Sequence, residues 1–274
     1  AVPALWACAL SAAAWGADSG LKAAVKQLRE KYQDAIVTVK LVVSTRMVYS
    51  GRETHKSENK NEVCGTVLDA SGLTVISNFA SDPTAQMGEY SFSSDGEKME
   101  FKYETDVTEV KIVLADGTEL AAQLVLKDKD LDLAFVKPKE KPAQPLFCLP
   151  LAKAPAPEIM DEVFVLSRLG REVGRVSAVG AGHISALVRK PRTFYVADLG
   201  NAYASMGCPV FDARGQTLGL SVMRMNPIKS GDRWSYRSVQ PVILPTEDLL
   251  DVAKQALAAK PEEKKEGAPP AEGK

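Results

Sequence analysis

A chain of 274 residues, 45% hydrophobic and 25% charged, is long enough to bury a substantial core as one large domain or two moderate ones. Its net charge of -1 supplies no excess of cations for nucleic acid or an anionic membrane surface. No apolar run reaches the roughly 18–20 residues that a membrane-spanning helix requires.

Residues 1–17 read as the latter part of an export signal. Ala1 to Ala14 is small and apolar, and Ala14-Trp15-Gly16 carries the small-x-small pattern of a signal-peptidase site before Ala17, although the basic start of such signals is missing. A buried alanine-rich helix is the alternative reading of the same composition. Leu5-Trp6-Ala7-Cys8 fits a lipoprotein box poorly because of Trp6 and the apolar stretch after Cys8. Export implies a periplasmic or extracellular location. It leaves Cys64, Cys148 and Cys208, an odd number that permits at most one internal disulfide.

Asp18-Ser19 followed by Leu21, Val25, Leu28 and Tyr32 predicts a capped amphipathic helix. Ala35 to Val48 is β-branched and strand-like, whereas Ser50 to Asn61 is polar and reads as an exposed loop. Two short strands, Cys64 to Leu68 and Leu73 to Ser77, flank the turn signal Asp69-Ala70-Ser71-Gly72. Tyr90, Phe92, the Asp95-Gly96 turn and the alternating run Met99-Glu100-Phe101-Lys102-Tyr103 predict a hairpin with one aromatic face. Val110–Leu114, Glu119–Leu126 and Leu131–Val136 continue the strand pattern around a second turn at Asp116-Gly117.

The proline-studded stretch from Lys137 to Glu158 predicts a linker or a long extended crossover. Further strands are expected at Glu162–Ser167, Arg175–Val179, Phe194–Asp198, Pro209–Asp212, Thr217–Met223 and Trp234–Ser238. Thr246 caps a final helix running to about Ala259, and Pro261 to Lys274 has the composition of a disordered tail. Many short strands at hairpin spacing, divided by a linker, imply an all-β class built as two small barrels or sandwiches packed together.

The layout resembles the protease domain of the HtrA/Deg family, whose trypsin-like fold consists of two six-stranded barrels. Three segments carry the likeness. Gly65 through Phe79 is similar to that family's GVVIDADGYVVTNNH run; Leu114-Ala115-Asp116-Gly117 through Asp132-Leu133-Ala134-Phe135 to its LADG…TDLAL segment; and Ser205 to Val210 with Gly215 to Leu220 to its NSGGPL and following strand. The resemblance implies a helix and first barrel over 18–140, an inter-barrel linker over 141–160, a second barrel over 161–244 and a C-terminal helix over 245–260, with a tail over 261–274.

Carried over by position, Asp132 falls on the catalytic aspartate, Phe79 on the histidine and Met206 on the serine. The reaction needs a hydroxyl activated by an imidazole that a carboxylate orients, and neither Phe79 nor Met206 can take part. The oxyanion-hole positions are Ala204 and Met206, where alanine replaces a glycine. Left without its histidine, Asp132 must find other donors, lie exposed, or protonate. Ser205 and Cys208 are the remaining nucleophiles nearby. Cys208 reads as a small packed hydrophobe, His55 as a loop histidine and His183, beside Gly182, as a turn residue.

The resemblance also brings Cys64 and Cys208 together behind the nucleophile position, as a disulfide or as two packed thiols. The chain departs from the family between Ser81 and Val107, where the hairpin bearing Tyr90, Phe92, Met99, Phe101 and Tyr103 offers a partner surface. No PDZ-like segment follows the last helix in this sequence, and no metal or cofactor is expected. Three functions fit: an exported pseudoprotease that holds a peptide or protein partner, an active hydrolase with rearranged groups, or a structural subunit of an envelope assembly.

Overall fold

A computed structural model describes residues 12–49, 52–81, 89–94, 97–200, 205–225, 228–230, 233–235 and 239–259. Helix α1 (Ala12–Tyr32) is followed by β1 (Ile36–Tyr49), β2 (Arg52–Val67), β3 (Thr74–Ser77), the single turn α2 (Asn78–Ser81), β4 (Glu89–Ser94), β5 (Glu97–Val113), β6 (Glu119–Asp128) and β7 (Leu133–Pro138). The second half comprises β8 (Glu162–Arg168), β9 (Ser177–Val188), β10 (Phe194–Ala197), β11 (Pro209–Asp212), β12 (Thr217–Met225), β13 (Ile228–Ser230), β14 (Arg233–Ser235), β15 (Val239–Pro245) and α3 (Thr246–Ala258).

The first half is a sheet in the order β1-β2-β3-β7-β6-β5-β4, closed into a six-stranded barrel where β1 also pairs with β5. Closure leaves β4 attached to the outer side of β5. The second half is a closed six-stranded barrel, β10-β15-β12-β11-β8-β9, with β13 and β14 forming a separate hairpin. All pairings are antiparallel. Val37, Val39, Leu41, Ile76, Ile112 and Val136 fill the first barrel. Two further clusters join the barrels: Ile36, Cys64, Val165, Cys208 and Phe211 in one, Leu73, Phe135, Leu220, Val222 and Leu249 in the other. Burial of such side chains is the chief stabilising term, roughly 1.5–3 kcal/mol each.

Several boundaries differ from the sequence expectation. Helix α1 runs unbroken from Ala12, so Asp18 and Ser19 lie inside it and do not cap it. Its C-terminal end is the packed part: Leu28 and Tyr32 are buried, and the Tyr32 ring stacks on Phe211 at 5.4 Å. The segment expected as a loop up to Asn61 is strand from Arg52 onward. Its polar side chains cannot build a core, but they pair with β1, which is held on its far side by β5. Together β2, β1, β5 and β4 extend as a ribbon beyond the closed part of the barrel.

The expected aromatic hairpin is β4–β5, with Tyr90 opposite Phe101 and Phe92 opposite Met99. The side chains of Tyr90, Phe92, Met99, Phe101 and Tyr103 lie outside the described residues, as do the turn residues Asp95 and Gly96. The linker is an extended crossover pinned to the first barrel, for Leu146 and Leu149 donate backbone N–H groups to Ala70 and Val67. His183 sits within β9 and not in a turn: flanking Gly180 and Gly182 disguise a strand that starts at Ser177 and ends at Val188. The strand expected at Trp234–Ser238 is the short β14, and β15, which completes the second barrel, went unread. At α3 the cap position is Pro245, and Thr246 is a buried first-turn residue with no capping bond.

Candidate functional site: a carboxylate shared between the barrels

Asp132 lies in the turn between β6 and β7, with a left-handed backbone (φ 59°) and only 1% of its surface exposed. Four groups fix it. The Phe79 backbone N–H donates to Oδ1 at 2.7 Å, while the Ser77 hydroxyl (2.8 Å) and the Met223 backbone N–H (2.7 Å) donate to Oδ2. The Asn78 N–H donates to the Asp132 carbonyl at 3.0 Å. The end of β3 and the start of α2 therefore wrap the carboxylate from the first barrel, and β12 closes it from the second. Of the three fates open to an aspartate without its histidine, this one finds other donors. Burial still pushes it up to about 6, against the pull of those donors and of Arg224.

Met206 is buried beside this cluster, its sulfur 3.9 Å from the Ser77 oxygen. Ser77 thus spans Asp132 and Met206, a role that a Ser in a β-branched run does not announce in sequence. Phe79 is half-buried. Gly207, next to Met206, has φ +79° and lies where a Cβ would meet the Cys64 carbonyl oxygen at 2.8 Å and the Ser77 nitrogen at 3.1 Å. Thr66 donates its hydroxyl to the Gly207 carbonyl at 2.7 Å. Ala204, expected from the resemblance at an oxyanion-hole position, lies outside the described residues.

Ser205 and Cys208 are both buried. His55 is exposed on the β2 ribbon and His183 exposed on β9, where its N–H donates to Asp198. Among the described bonds, neither imidazole reaches Cys208 or Asp132. Among the described residues, neither atom of the buried Asn78 side-chain amide has a hydrogen-bond partner.

Cys64, Cys148 and Cys208 are free thiols. Cys64 and Cys208 lie in one core cluster at the barrel boundary, and neither is bridged. The neighbouring Cys208 draws Cys64 below the ordinary thiol range, and burial pushes Cys208 well above it. Cys64 also donates to the Arg168 carbonyl (3.0 Å) and accepts its N–H (3.2 Å). The Arg168 guanidinium, which sequence reading did not single out, donates to the carbonyls of Ile36, Gln33 and Arg175 at 2.7–2.8 Å.

Asp132, Ser77, Phe79 and Met206 thus meet where the two barrels join. Residues 64–220, more than half of the chain, match the trypsin-like peptidase domain, and the chain belongs to that family. No curated protein matches it. Among solved structures it is similar to an HtrA-type protease, AlgW, in a single-substitution variant with a decapeptide. That likeness has a TM-score of 0.56 and 19% identity, covering 85% of this chain and 66% of that one, a little under two thirds of its length. At this identity it bears on the fold. Among the described residues no helix is long and apolar enough to cross a membrane, and no group of three His, Cys, Asp or Glu could hold a metal ion.

Proposed function

We propose that this chain is an exported, proteolytically inactive member of the trypsin-like family that holds a peptide or protein partner between or beside its barrels. The observation that carries the reading is the bonding of Asp132. Its two oxygens are taken up by Phe79, Ser77 and Met223, and a thioether stands beside it where a hydroxyl nucleophile is needed. These donors fill three of the carboxylate's roughly four acceptor sites and no imidazole is among them; loss of the base or nucleophile costs serine proteases roughly 10⁴- to 10⁶-fold in rate. Retention of both closed barrels around such a centre favours a scaffold, and main-chain pairing of an extended segment is the binding mode this architecture suits. The decapeptide with the similar HtrA-type protease supports the same class of ligand.

The test is a fluorophosphonate probe and a casein-hydrolysis assay on the purified chain. No labelling and no turnover above background are expected. Labelling at Ser205, or turnover abolished by Cys208→Ala, would establish a rearranged hydrolase instead. Pull-down through the chain from native envelope material separates a peptide-holding protein from a purely structural subunit.

A further inference from the structure

The geometry points to the outer edge of β2 as a self-pairing surface, through which two copies of this chain join antiparallel across a twofold axis at Asn59. β2 pairs with β1 along its whole length, but on its other side only Thr66 and Val67 are paired, with β3. Among the described strands none occupies that side from Arg52 to Gly65. An open edge of this length presents a row of backbone donors and acceptors.

Two features bound the usable stretch. Toward the ribbon tip, Met47 pairs with His55 and Val48 with Glu53, leaving Thr54 as an extra residue whose hydroxyl donates to the Met47 carbonyl. This bulge breaks the alternation of faces. Toward the barrel, Cys64 lies against Arg168 and Thr66 against Gly207, so the second barrel covers the edge. Between these limits the strand is regular, and its side chains are exposed or half-exposed. In a twofold pairing the second copy's residues 52–54 fall opposite the covered Cys64–Thr66, so the pairing ends at the bulge, where that tip must bend out of the sheet.

Within that window one face carries Lys56, Glu58, Lys60 and Glu62, alternating in sign. An even number of alternating charges is self-complementary in the antiparallel sense. Centred on Asn59, a second copy sets Lys56 opposite Glu62 and Glu58 opposite Lys60, each twice, with no like pair. Shifting the register by two residues either way sets lysine opposite lysine and glutamate opposite glutamate. The other face then pairs Ser57 with Asn61 and Asn59 with itself, all able to hydrogen-bond. Charged edges ordinarily resist association. Here they reject the neighbouring registers and match one, giving an isologous contact. Glu62 also holds Arg175 at 2.6 Å, so the incoming lysine joins a carboxylate already paired within its own chain.

The experiment is sedimentation equilibrium on the full chain and three variants. The wild type is expected to dimerise, more weakly at high salt. Glu58→Lys alone and Lys60→Glu alone each create like-charge contacts and should weaken self-association roughly tenfold or more. Mixing the two single variants restores four opposite pairs and should yield a heterodimer, and the double variant E58K/K60E should dimerise like wild type. Asn59→Cys should cross-link symmetrically on mild oxidation, since directly opposed residues stand about 4.5–5.5 Å apart, while Ser57→Cys should not. A wild-type monomer at every accessible concentration overturns the inference, including one whose edge takes a foreign strand. So does a dimer indifferent to both single charge reversals.

Discussion

Asp132 of the first barrel accepts the backbone N–H of Met223 of the second at 2.7 Å, a single buried bond spanning 91 residues of sequence. This carboxylate serves as a joint between the two halves. Its opposite oxygen holds Phe79, and Ser77 stands between it and the Met206 sulfur.

Stability should therefore depend on pH through Asp132. Its folded value of about 6 lies above the ordinary 3.8. A raised pKa contributes stability that is full below about pH 4 and is lost as pH rises through 6, because the unfolded chain releases this proton first. A shift of this size corresponds to about 3 kcal/mol. Urea unfolding of wild type and Asp132→Asn at pH 4 and pH 7 reads it. Asparagine sets an amide N–H₂ against N–H donors, so a constant offset is expected. The wild-type advantage over that variant should shrink by up to about 3 kcal/mol between the two pH values. An advantage that grows with pH would mean that the donors outweigh burial and Asp132 is depressed.

Gly207→Ala tests the segment beside Met206. Glycine is required there twice over: its φ is +79°, and a Cβ would fall 2.8 Å from the Cys64 carbonyl and 3.1 Å from the Ser77 nitrogen, both backbone atoms. Neither can yield without moving a strand of the first barrel. The left-handed backbone alone costs roughly 1–2 kcal/mol for a non-glycine residue, so a total loss of about 2–4 kcal/mol is expected by denaturant unfolding. A loss below about 1 kcal/mol, near the average for any substitution, would show that the turn relaxes freely. The control Gly117→Ala, at φ +88° with open space around its Cβ position, should show the backbone term without the collision.

What could be read in advance followed hydrophobic alternation and turn residues. The strands around Asp69-Ala70-Ser71-Gly72 and Asp116-Gly117 carry apolar side chains into the first barrel, so their pattern records their burial. The β2 ribbon could not be read that way, because Lys56, Glu58 and Lys60 face solvent and owe their conformation to pairing with β1. His183 was obscured by flanking glycines, and β15 by prolines at 241 and 245. At the centre, the resemblance singled out Asp132, Phe79 and Met206, and Ser77 lies between Asp132 and Met206 while the Phe79 N–H donates to Asp132. Ser77 and the Met223 N–H were not legible, for a backbone donor from a strand 91 residues away leaves no mark in the sequence.

The last prediction concerns the thiols at the barrel boundary. Cys208 is fully buried in the same core cluster as Cys64, which is held by both backbone groups of Arg168. Arg168 ties the same region together through three carbonyls, so the pair sits where motion is most restricted. A thiol reagent added to the native chain should modify half-exposed Cys148 and spare Cys64 and Cys208, since attack requires an accessible thiolate. In denaturant without reductant all three should react, together with Cys8 where that segment is retained. Cys208→Ala removes one sulfur from a packed interface, and its expected cost by denaturant unfolding is about 1–2 kcal/mol. If only Cys148 reacts in denaturant, the pair is bridged in the isolated protein. The two thiols, already neighbours, would then be a covalent clasp between the barrels, and reductant should lower the unfolding midpoint.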